Sequence, residues 1–296
     1  MKAKEDHSLP ELPEVEVIRR GLAKKLVGET FIGLHRDDKQ LRRQSDLVTL
    51  TGLIGRTVIR LTRRGKYLLL HLDDGQTLLV HLGMTGRLFF LPEGCPLPLH
   101  VHLLLWCSSG GRLVYQDIRR FGQVVLYPAG VTPPELAKVG LEPWSRRLTP
   151  TWLVQKSAGL IRPIKNFLLD GRIIAGIGNI YACEILFAVG LHPETPVGEV
   201  NPETWASIIR ACRRILTRAI RAGGTTIATF ADCQGQAGLF TVELQVYGRA
   251  GAPCLVCGAT IQRLVQAGRS TFWCPRCQAW SQPATRTIPA SRQQKG

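Results

Sequence analysis

Residues 254–257 read CLVC and residues 274–277 read CPRC, with sixteen residues between the two motifs. Two CxxC pairs at this spacing are typical of a site in which four thiolates bind one tetrahedral metal ion, and such a closed shell leaves no position for a substrate. A segment of this size buries little apolar surface alone, so the ion would determine its fold. We therefore predict one structural Zn²⁺, with a rubredoxin-like iron site or two chance pairs as alternatives. The predicted ligands are Cys254, Cys257, Cys274 and Cys277.

The whole chain is strongly basic. Its 296 residues include 38 Lys and Arg against 22 Asp and Glu, a formal net charge of +16. This excess indicates a polyanionic partner, nucleic acid or an anionic membrane surface, and charge that serves only solubility is the alternative. Hydrophobic residues make up 45% of the chain and charged residues 20%, which excludes a wholly disordered protein.

Neither a signal peptide nor a membrane span is predicted. The first seventeen residues lack the apolar core of a secretory signal. The apolar stretch 173–191 contains Asn179 and Glu184 and is interrupted by glycines, so it is interpreted as a buried helix. We expect a cytoplasmic protein that does not contact a membrane.

The patterning changes along the chain. Helical apolar spacing over 13–28 is followed, from Phe31 to about Tyr127, by short β-type runs that favour an antiparallel sandwich or barrel. From about Thr151 the chain becomes helical. We predict an α+β fold, in which an antiparallel β-sandwich with flanking helices precedes a helical domain with the four-cysteine module. The predicted segments are an extension (1–9), the sandwich domain (10–130), a linker (131–150), the helical domain (151–242), the metal module (243–280) and a disordered tail (281–296).

Seven further motifs precede the four-cysteine module in a fixed order: PELPEVE (10–16), RRGKYLLL (63–70), HLGMTG (81–86), DIRRFG (117–122), GIGNIYACE (176–184), AGGTT (222–226) and ELQVYGR (243–249). Together they resemble bacterial formamidopyrimidine-DNA glycosylases, the base-excision enzymes for oxidised purines, from Pro10 to about Gln278. The related endonuclease VIII group shares the architecture but differs at the PELPE motif. The resemblance implies a helix–two-turn–helix domain, a zinc finger, a loop from AGGTT to Phe240 over the flipped base, and a monomer that binds double-stranded DNA with oxidised bases or abasic sites.

The resemblance assigns catalysis to Pro10, Glu11, Lys66 and Arg269. In the family, the secondary amine of an N-terminal proline attacks the sugar C1′, expels the base and forms a Schiff base that permits β,δ-elimination, because a neutral amine is a good nucleophile. Glu11 would protonate or polarise the sugar ring oxygen. Lys66 would contact phosphate and assist catalysis, and Arg269 would hold the phosphate beside the lesion. Glu14 is either another catalytic acid or a partner of the helix dipole.

Five residues are assigned to DNA binding by the same resemblance: Met84, His100, Arg119, Phe121 and Asn179. Met84, Arg119 and Phe121 would fill the gap that a flipped base leaves in the duplex. Taken alone, Met84 and Phe121 also fit an ordinary core. Asn179 and the helix amides that follow it would bind a phosphate, and His100 is a further candidate phosphate contact.

The N-terminus departs from the family pattern. Pro10 is internal as written, so its nitrogen is a tertiary amide that cannot form a Schiff base. We expect translation to start at Leu9 through a TTG or CTG codon, after which an aminopeptidase exposes Pro10. Proteolytic maturation and a true loss of catalysis are the alternatives.

Two DNA contacts of the family are also altered. The family's Lys-His-Asp-His stretch is replaced by Leu-His-Val-His at 99–102, which retains His100. A family lysine falls near Leu160, so that phosphate contact is absent or has moved to Arg162 or Lys165. We expect lesion preference or affinity to differ in consequence.

The predicted function is a bifunctional DNA glycosylase and abasic-site lyase for 8-oxoguanine and formamidopyrimidines. Its rival is a non-catalytic binder of damaged DNA that keeps the fold while Pro10 remains blocked. A zinc-ribbon transcription or RNA-binding protein is a third alternative, which the motifs around Met84 and Asn179 disfavour.

Overall fold

The computed structural model describes residues 10–223 and 244–279, which contain seven α-helices and eleven β-strands. The helices are α1 (Leu12–Leu26), α2 (Leu47–Thr51), α3 (Pro134–Ala137), α4 (Pro150–Ser157), α5 (Ile164–Leu168), α6 (Asn179–Ala188) and α7 (Pro202–Arg221). The predictions for residues 1–9, for most of the loop ending at Phe240 and for residues 281–296 fall outside the described residues. The fold is α+β, which confirms the prediction.

Two sheets face each other in the N-terminal half. The first contains, in spatial order, β1 (Phe31–Arg36), β7 (Val101–Cys107), β8 (Arg112–Asp117) and β6 (Gly86–Leu91). The second contains β2 (Arg43–Gln44), β9 (Gln123–Tyr127), β5 (Thr77–His81), β4 (Tyr67–Leu72) and β3 (Val58–Arg64). The neighbours pair antiparallel except β2, which runs parallel to β9 over two residues, where the chain passes from the first sheet to the edge of the second.

The strand β4 is apolar on both faces because both are covered. Leu68 and Leu70 point between the sheets, into the main core of the sandwich. The opposite face of the second sheet carries Leu79 and Val125, and Leu136 of α3 packs against them. This second layer explains why YLLLHL does not show the simple alternation of a half-exposed strand.

The helix α1 joins the two halves of the molecule. Its apolar stripe, which includes Ile18 and Leu22, is buried in the sandwich core. Its first turn contacts the helical domain, where the Leu12 amide donates a hydrogen bond to the Gly176 carbonyl at 3.0 Å. The first turn of α1 therefore lies at the boundary between sandwich and helices.

The helical half and the cysteine module share one core. The Asn201 side chain accepts a hydrogen bond from the Thr204 amide at 2.8 Å, which confirms the predicted start of α7. Trp205 of α7 packs with α5 and α6, and Phe272 of the cysteine module belongs to the same cluster. The helix α6 is buried over Ile180–Leu186, as its apolar sequence predicts. Among the described helices, none is both long and apolar enough to cross a membrane.

Candidate active site and metal centre

The four predicted metal ligands converge at the end of a β-hairpin formed by β10 (Gln262–Gln266) and β11 (Arg269–Trp273). The sulfur atoms of Cys254 and Cys277 are 3.9 Å apart, those of Cys257 and Cys274 are 3.4 Å apart, and all four ligand atoms lie within 4.8 Å of one another. A tetrahedral zinc ion with Zn–S bonds of about 2.3 Å needs sulfur separations of about 3.8 Å. The cluster fits one structural zinc, which would fix the hairpin.

The hairpin is anchored to the helical domain by a buried lysine. The Lys165 ammonium donates to the Thr271 hydroxyl at 2.6 Å and to the Ser270 carbonyl at 3.2 Å. Burial lowers the pKa of Lys165, and the charge of Arg269 lowers it further. Lys165 is completely buried, so it does not replace the missing surface phosphate contact near Leu160. Its role in supporting the hairpin was missed from the sequence.

Glu11 caps the helix α6. Its carboxylate accepts hydrogen bonds from the amides of Gly178 at 2.7 Å, Ile180 at 2.7 Å and Tyr181 at 3.3 Å. A Cβ atom at Gly178 would lie 2.4 Å from the Glu11 carboxyl carbon, so the close approach requires glycine. The prediction that the helix amides after Asn179 bind a phosphate is therefore wrong for Ile180 and Tyr181, because both amides already donate to this carboxylate.

Burial raises the pKa of Glu11 to about 7, even though the Lys66 charge and the donated amides favour the ionised form. Glu14 adds to the rise through its own charge. A carboxyl group with this pKa exchanges a proton near neutral pH, which suits acid catalysis.

Glu14 occupies the third position of α1 and completes a capping box with Glu11. One Glu14 oxygen accepts the Glu11 amide at 3.0 Å, and the other accepts the Tyr181 hydroxyl at 2.7 Å. The carboxylate therefore fixes the first turn of α1 against α6. This geometry supports the helix-terminus interpretation and does not test a catalytic one.

Lys66 lies in the turn between β3 and β4 and is half-buried. Burial lowers its pKa, Glu11 and Glu14 oppose that effect, and Arg269 reinforces it. These four charged groups therefore lie within electrostatic range of one another, although they come from α1, the β3–β4 turn and the cysteine module. A lowered pKa increases the fraction of a lysine that is the neutral amine, the form that can accept a proton.

An ion-pair network fixes the turn that carries Lys66. Arg63 contacts Glu16 of α1 at 3.2 Å and Glu142 of the interdomain segment at 3.0 Å. Glu142 also accepts the Gly65 amide at 2.7 Å. Burial opposes ionisation of Glu16, but hydrogen bonds from Arg19 and its neighbours outweigh it and lower the pKa of Glu16 to about 2.

A cleft of about 700 Å³ lies beside Arg269. Its lining includes Arg269 and the three predicted gap-filling residues, Met84, Arg119 and Phe121. The full lining is Gln40, Leu41, Arg42, His81, Gly83, Met84, Arg119, Arg120, Phe121 and Arg269. The Arg119 guanidinium lies 4.9 Å from the centre of the Phe121 ring. Phe121 is 41% exposed, which excludes a core role for it, whereas Met84 is half-buried.

His81 also faces the cleft and was not identified from the sequence. Burial lowers its pKa to about 4, and the charges of Lys66 and Arg42 act in the same direction. Its Nδ1 accepts the Gly83 amide at 3.1 Å, so the neutral ring supports the turn that carries Met84. The available signal was its position at the end of a strand, directly before that turn.

The remaining predicted residues lie in different surroundings. Asn179 donates to the Ser270 carbonyl at 2.9 Å and so joins α6 to the hairpin, while its Oδ1 has no hydrogen-bond partner among the described residues. His100 is exposed, has a φ of 63° and is not among the residues that line the cleft. Pro10 is buried and immediately precedes Glu11.

Three family models match successive parts of the chain. They are the formamidopyrimidine-DNA glycosylase N-terminal domain over residues 9–124, the formamidopyrimidine-DNA glycosylase H2TH domain over residues 139–231, and the zinc finger found in FPG and IleRS over residues 251–279. Together they cover the sandwich, the helices and the cysteine module.

Curated relatives match over their full length. The formamidopyrimidine-DNA glycosylases of Paracoccus denitrificans and Geotalea uraniireducens are each 42% identical to this chain, and each match covers 91% of this chain and 100% of the relative.

Solved structures of similar proteins contain damaged DNA. A complex of Lactococcus lactis Fpg with DNA containing an abasic site has a TM-score of 0.83 and 33% identity, covering 91% of this chain and all of the other. A Lactococcus lactis Fpg (MutM) complex with DNA containing Fapy-dG has a TM-score of 0.81 at 33% identity and the same coverage. This chain belongs to the formamidopyrimidine-DNA glycosylase family.

Proposed function

We propose that this protein is a bifunctional DNA glycosylase and abasic-site lyase that removes oxidised purines, 8-oxoguanine and formamidopyrimidines, from double-stranded DNA. The observation that carries the proposal is that the charges of Glu11 and Arg269, which come from two other elements, both act on Lys66, and that Arg269 also lines a basic cleft. Membership of the family and the damaged DNA bound by structural neighbours support the same substrate class. We further propose that it acts in the bacterial cytoplasm, where the chromosome lies.

In the proposed reactive form, Pro10 is the first residue and its nitrogen is a secondary amine. The match to the N-terminal family domain begins at residue 9, which supports this assignment. The neutral amine attacks the sugar C1′, the C1′–N bond to the damaged base breaks, and the base leaves with the proton that the amine loses. Protonation of the ring oxygen then opens the sugar, which remains attached as an iminium ion. Loss of a C2′ proton then breaks the bond to the 3′ phosphate, and a second elimination breaks the bond to the 5′ phosphate.

Glu11 supplies the proton for opening the sugar ring in this scheme. Its pKa of about 7 leaves a substantial protonated fraction at neutral pH. The three amides at the start of α6 hold the carboxyl group in place. Lys66 lies within electrostatic range of this carboxyl group, and we assign it to a phosphate contact and to assistance in proton transfer.

DNA binding is assigned to both sides of the cleft. Met84, Arg119 and Phe121 fill the gap left by the flipped base, because an apolar and aromatic group on basic, exposed loops can replace a base in the stack. Arg269 and Asn179 hold phosphates near the lesion, and His100 contacts a phosphate farther away. The zinc ion would hold the hairpin that presents Arg269 and would supply no reaction chemistry.

Borohydride trapping tests the reaction directly. A duplex with 8-oxoguanine opposite cytosine is incubated with the 296-residue chain and, separately, with a form that begins at Pro10. Reduction of a Schiff base leaves a covalent protein–DNA adduct, and we expect it with the shorter form on damaged DNA but not on an undamaged duplex. A shorter form whose Pro10 nitrogen is acetylated is the matched control and should give no adduct, because an amide nitrogen cannot form a Schiff base.

The same experiment separates the main alternative, a non-catalytic binder of damaged DNA. That protein would retard the damaged duplex on a native gel and give no adduct in either form. Adducts with both forms would instead require processing of the longer chain or another amine, such as Lys66, as the nucleophile.

A further inference from the structure

Asp117 is the last residue of β8, and its side chain is completely buried. Its carboxylate accepts hydrogen bonds from the Thr85 hydroxyl at 2.5 Å, the Gly122 amide at 2.8 Å and the Arg119 amide at 3.3 Å. The Tyr115 hydroxyl approaches from inside the sandwich at 3.4 Å. A carboxylate at zero exposure is tolerated because these donors replace its lost hydration.

Apart from Tyr115, the donors come from two loops that carry the gap-filling residues. We call residues 82–85 and 118–122 the wedge loops, since the first contains Met84 and the second contains Arg119 and Phe121. Their backbones are in direct contact: a Cβ atom at Gly83, where φ is +61°, would lie 2.5 Å from the Phe121 carbonyl carbon. The Thr85 hydroxyl, which donates to Asp117, also accepts the Arg119 amide at 3.0 Å.

The second wedge loop holds a backbone conformation that needs support. Arg120 has a φ of 57°, which is uncommon for a residue with a Cβ atom. Its carbonyl accepts the Arg42 amide at 2.9 Å. Strained conformations of this kind persist where surrounding contacts determine them, and they occur at sites where a fixed geometry serves function.

The backbone of Asp117 is itself fixed. Its carbonyl lies 2.9 Å from His102 Nε2, and its amide donates to the His100 carbonyl at 3.1 Å. His102 is buried, so this anchor belongs to the sandwich and not to the DNA-facing surface. Asp117 therefore links the loops to the β-sandwich.

We propose that Asp117 is a positioning residue that holds the two wedge loops as one preformed unit, so that Met84, Arg119 and Phe121 enter the duplex together. The inference rests on the proposed function, because it concerns how a base is extruded. A unit formed before binding avoids the cost of ordering two loops against DNA. Its effect should fall on base extrusion from a duplex and not on the chemistry at an already exposed sugar.

Two substrates separate these steps, each tested with a form of the protein that begins at Pro10. The first is a duplex with 8-oxoguanine opposite cytosine, which requires extrusion, and the second is a single strand with one abasic site, which has no base to remove and no stack to open. In Asp117→Asn an amide NH₂ group replaces one acceptor oxygen. The loop groups that donated hydrogen bonds to that oxygen then face another donor. Single-turnover excision from the duplex should fall by about 10-fold or more, while strand cleavage at the single-stranded abasic site should stay within about 2-fold.

A second variant keeps the test informative if Asp117→Asn folds poorly. Thr85→Val removes one donor to Asp117 and one acceptor for Arg119, and it should lower duplex excision by about 3-fold to 10-fold. Thr30→Val is the matched control, because its hydroxyl contacts Thr57 at 2.9 Å, away from both loops. This control should leave both activities within about 2-fold.

Fluorescence of 2-aminopurine placed beside the lesion gives a direct readout of duplex opening. The rise that accompanies extrusion should be slower in Asp117→Asn and in Thr85→Val, and unchanged in Thr30→Val. Equal losses on the two substrates, or duplex excision by Asp117→Asn at the unaltered rate, would overturn the positioning role. If the unaltered protein cleaves neither substrate, the proposed function itself fails, and the two failures are distinguishable.

Discussion

The Glu11 carboxylate lies 2.7 Å from the Ile180 amide at the start of α6, and the two residues are 169 positions apart in the sequence. This contact joins the first turn of α1 to the helical domain. The positive end of a helix dipole and three donated amides favour the ionised carboxylate, whereas burial favours the protonated one. Burial is the larger effect, and it raises the pKa of Glu11 to about 7.

Glu11→Gln should remove the acid for base excision. In the form that begins at Pro10, we expect single-turnover excision from an 8-oxoguanine duplex to fall by about 100-fold or more, since general acids contribute at least this much. In the form that begins at Pro10, the protonated fraction of Glu11 falls as pH rises through about 7, and this fall should produce the alkaline decline of excision. The Gln variant should lack this limb when rates are measured between pH 5.5 and pH 9.

The matched control is Glu29→Gln, because Glu29 follows α1 at its other end and contacts Ser108 and Ser109. Its excision rate and pH profile should equal those of the unaltered protein. A pH limb that survives in Glu11→Gln would assign the titration to another group.

Glu16→Gln should destabilise the protein in a pH-dependent way. The folded-state pKa of Glu16 is about 2, below its ordinary value of 4.5, so ionised Glu16 stabilises the folded state above pH 4.5 and this contribution is lost as pH falls towards 2. At pH 7 the variant should lose about 1–3 kcal/mol of unfolding free energy in urea. The difference in unfolding free energy between the variant and the unaltered protein should narrow below pH 4.5. Glu203 is exposed, so Glu203→Gln should change the unfolding free energy little at pH 7 or below pH 4.5.

Cys274→Ser should remove the metal from the four-cysteine site and weaken DNA binding. Loss of one thiolate ligand should remove most of the zinc, measured with a colorimetric chelator after protein digestion. Affinity for an abasic-site duplex should fall because the hairpin that presents Arg269 loses its support. Cys212→Ala, which alters a buried thiol in α7, should keep one zinc per chain. Full zinc content in Cys274→Ser would contradict the four-cysteine site.

Arg269→Ala should change the salt dependence of DNA binding. Each phosphate contact contributes about −0.9 to the slope of log K against log salt, so the slope should become less steep by about one unit. The readout is fluorescence anisotropy of an abasic-site duplex across a salt series. Arg172→Ala provides the control, because Arg172 is exposed and bound to Asp170. An unaltered slope would place Arg269 away from phosphate.

Local patterns in the sequence were sufficient for much of the fold. The N-cap at Asn201, the start of α6 at Asn179 and the two CxxC pairs depend on residues a few positions apart, and all three are present in the structure. The patterning along the chain predicted the α+β architecture, and the spacing of the cysteines predicted the zinc site. They did not reveal His81 in the cleft or Lys165 beneath the hairpin, because a histidine at a strand end and a lysine in a short helix have no distinctive local pattern.

The sequence by itself therefore determined which elements form, where the metal ligands lie and which family the chain belongs to. Only the tertiary structure decided that the amides of Ile180 and Tyr181 donate hydrogen bonds to Glu11 and not to a phosphate. It also decided that Lys165 is buried and bound to Thr271. The physical reason is that helix caps and strand patterns depend on near neighbours. A buried carboxylate or ammonium, in contrast, depends on which distant donors and acceptors the packed core brings to it.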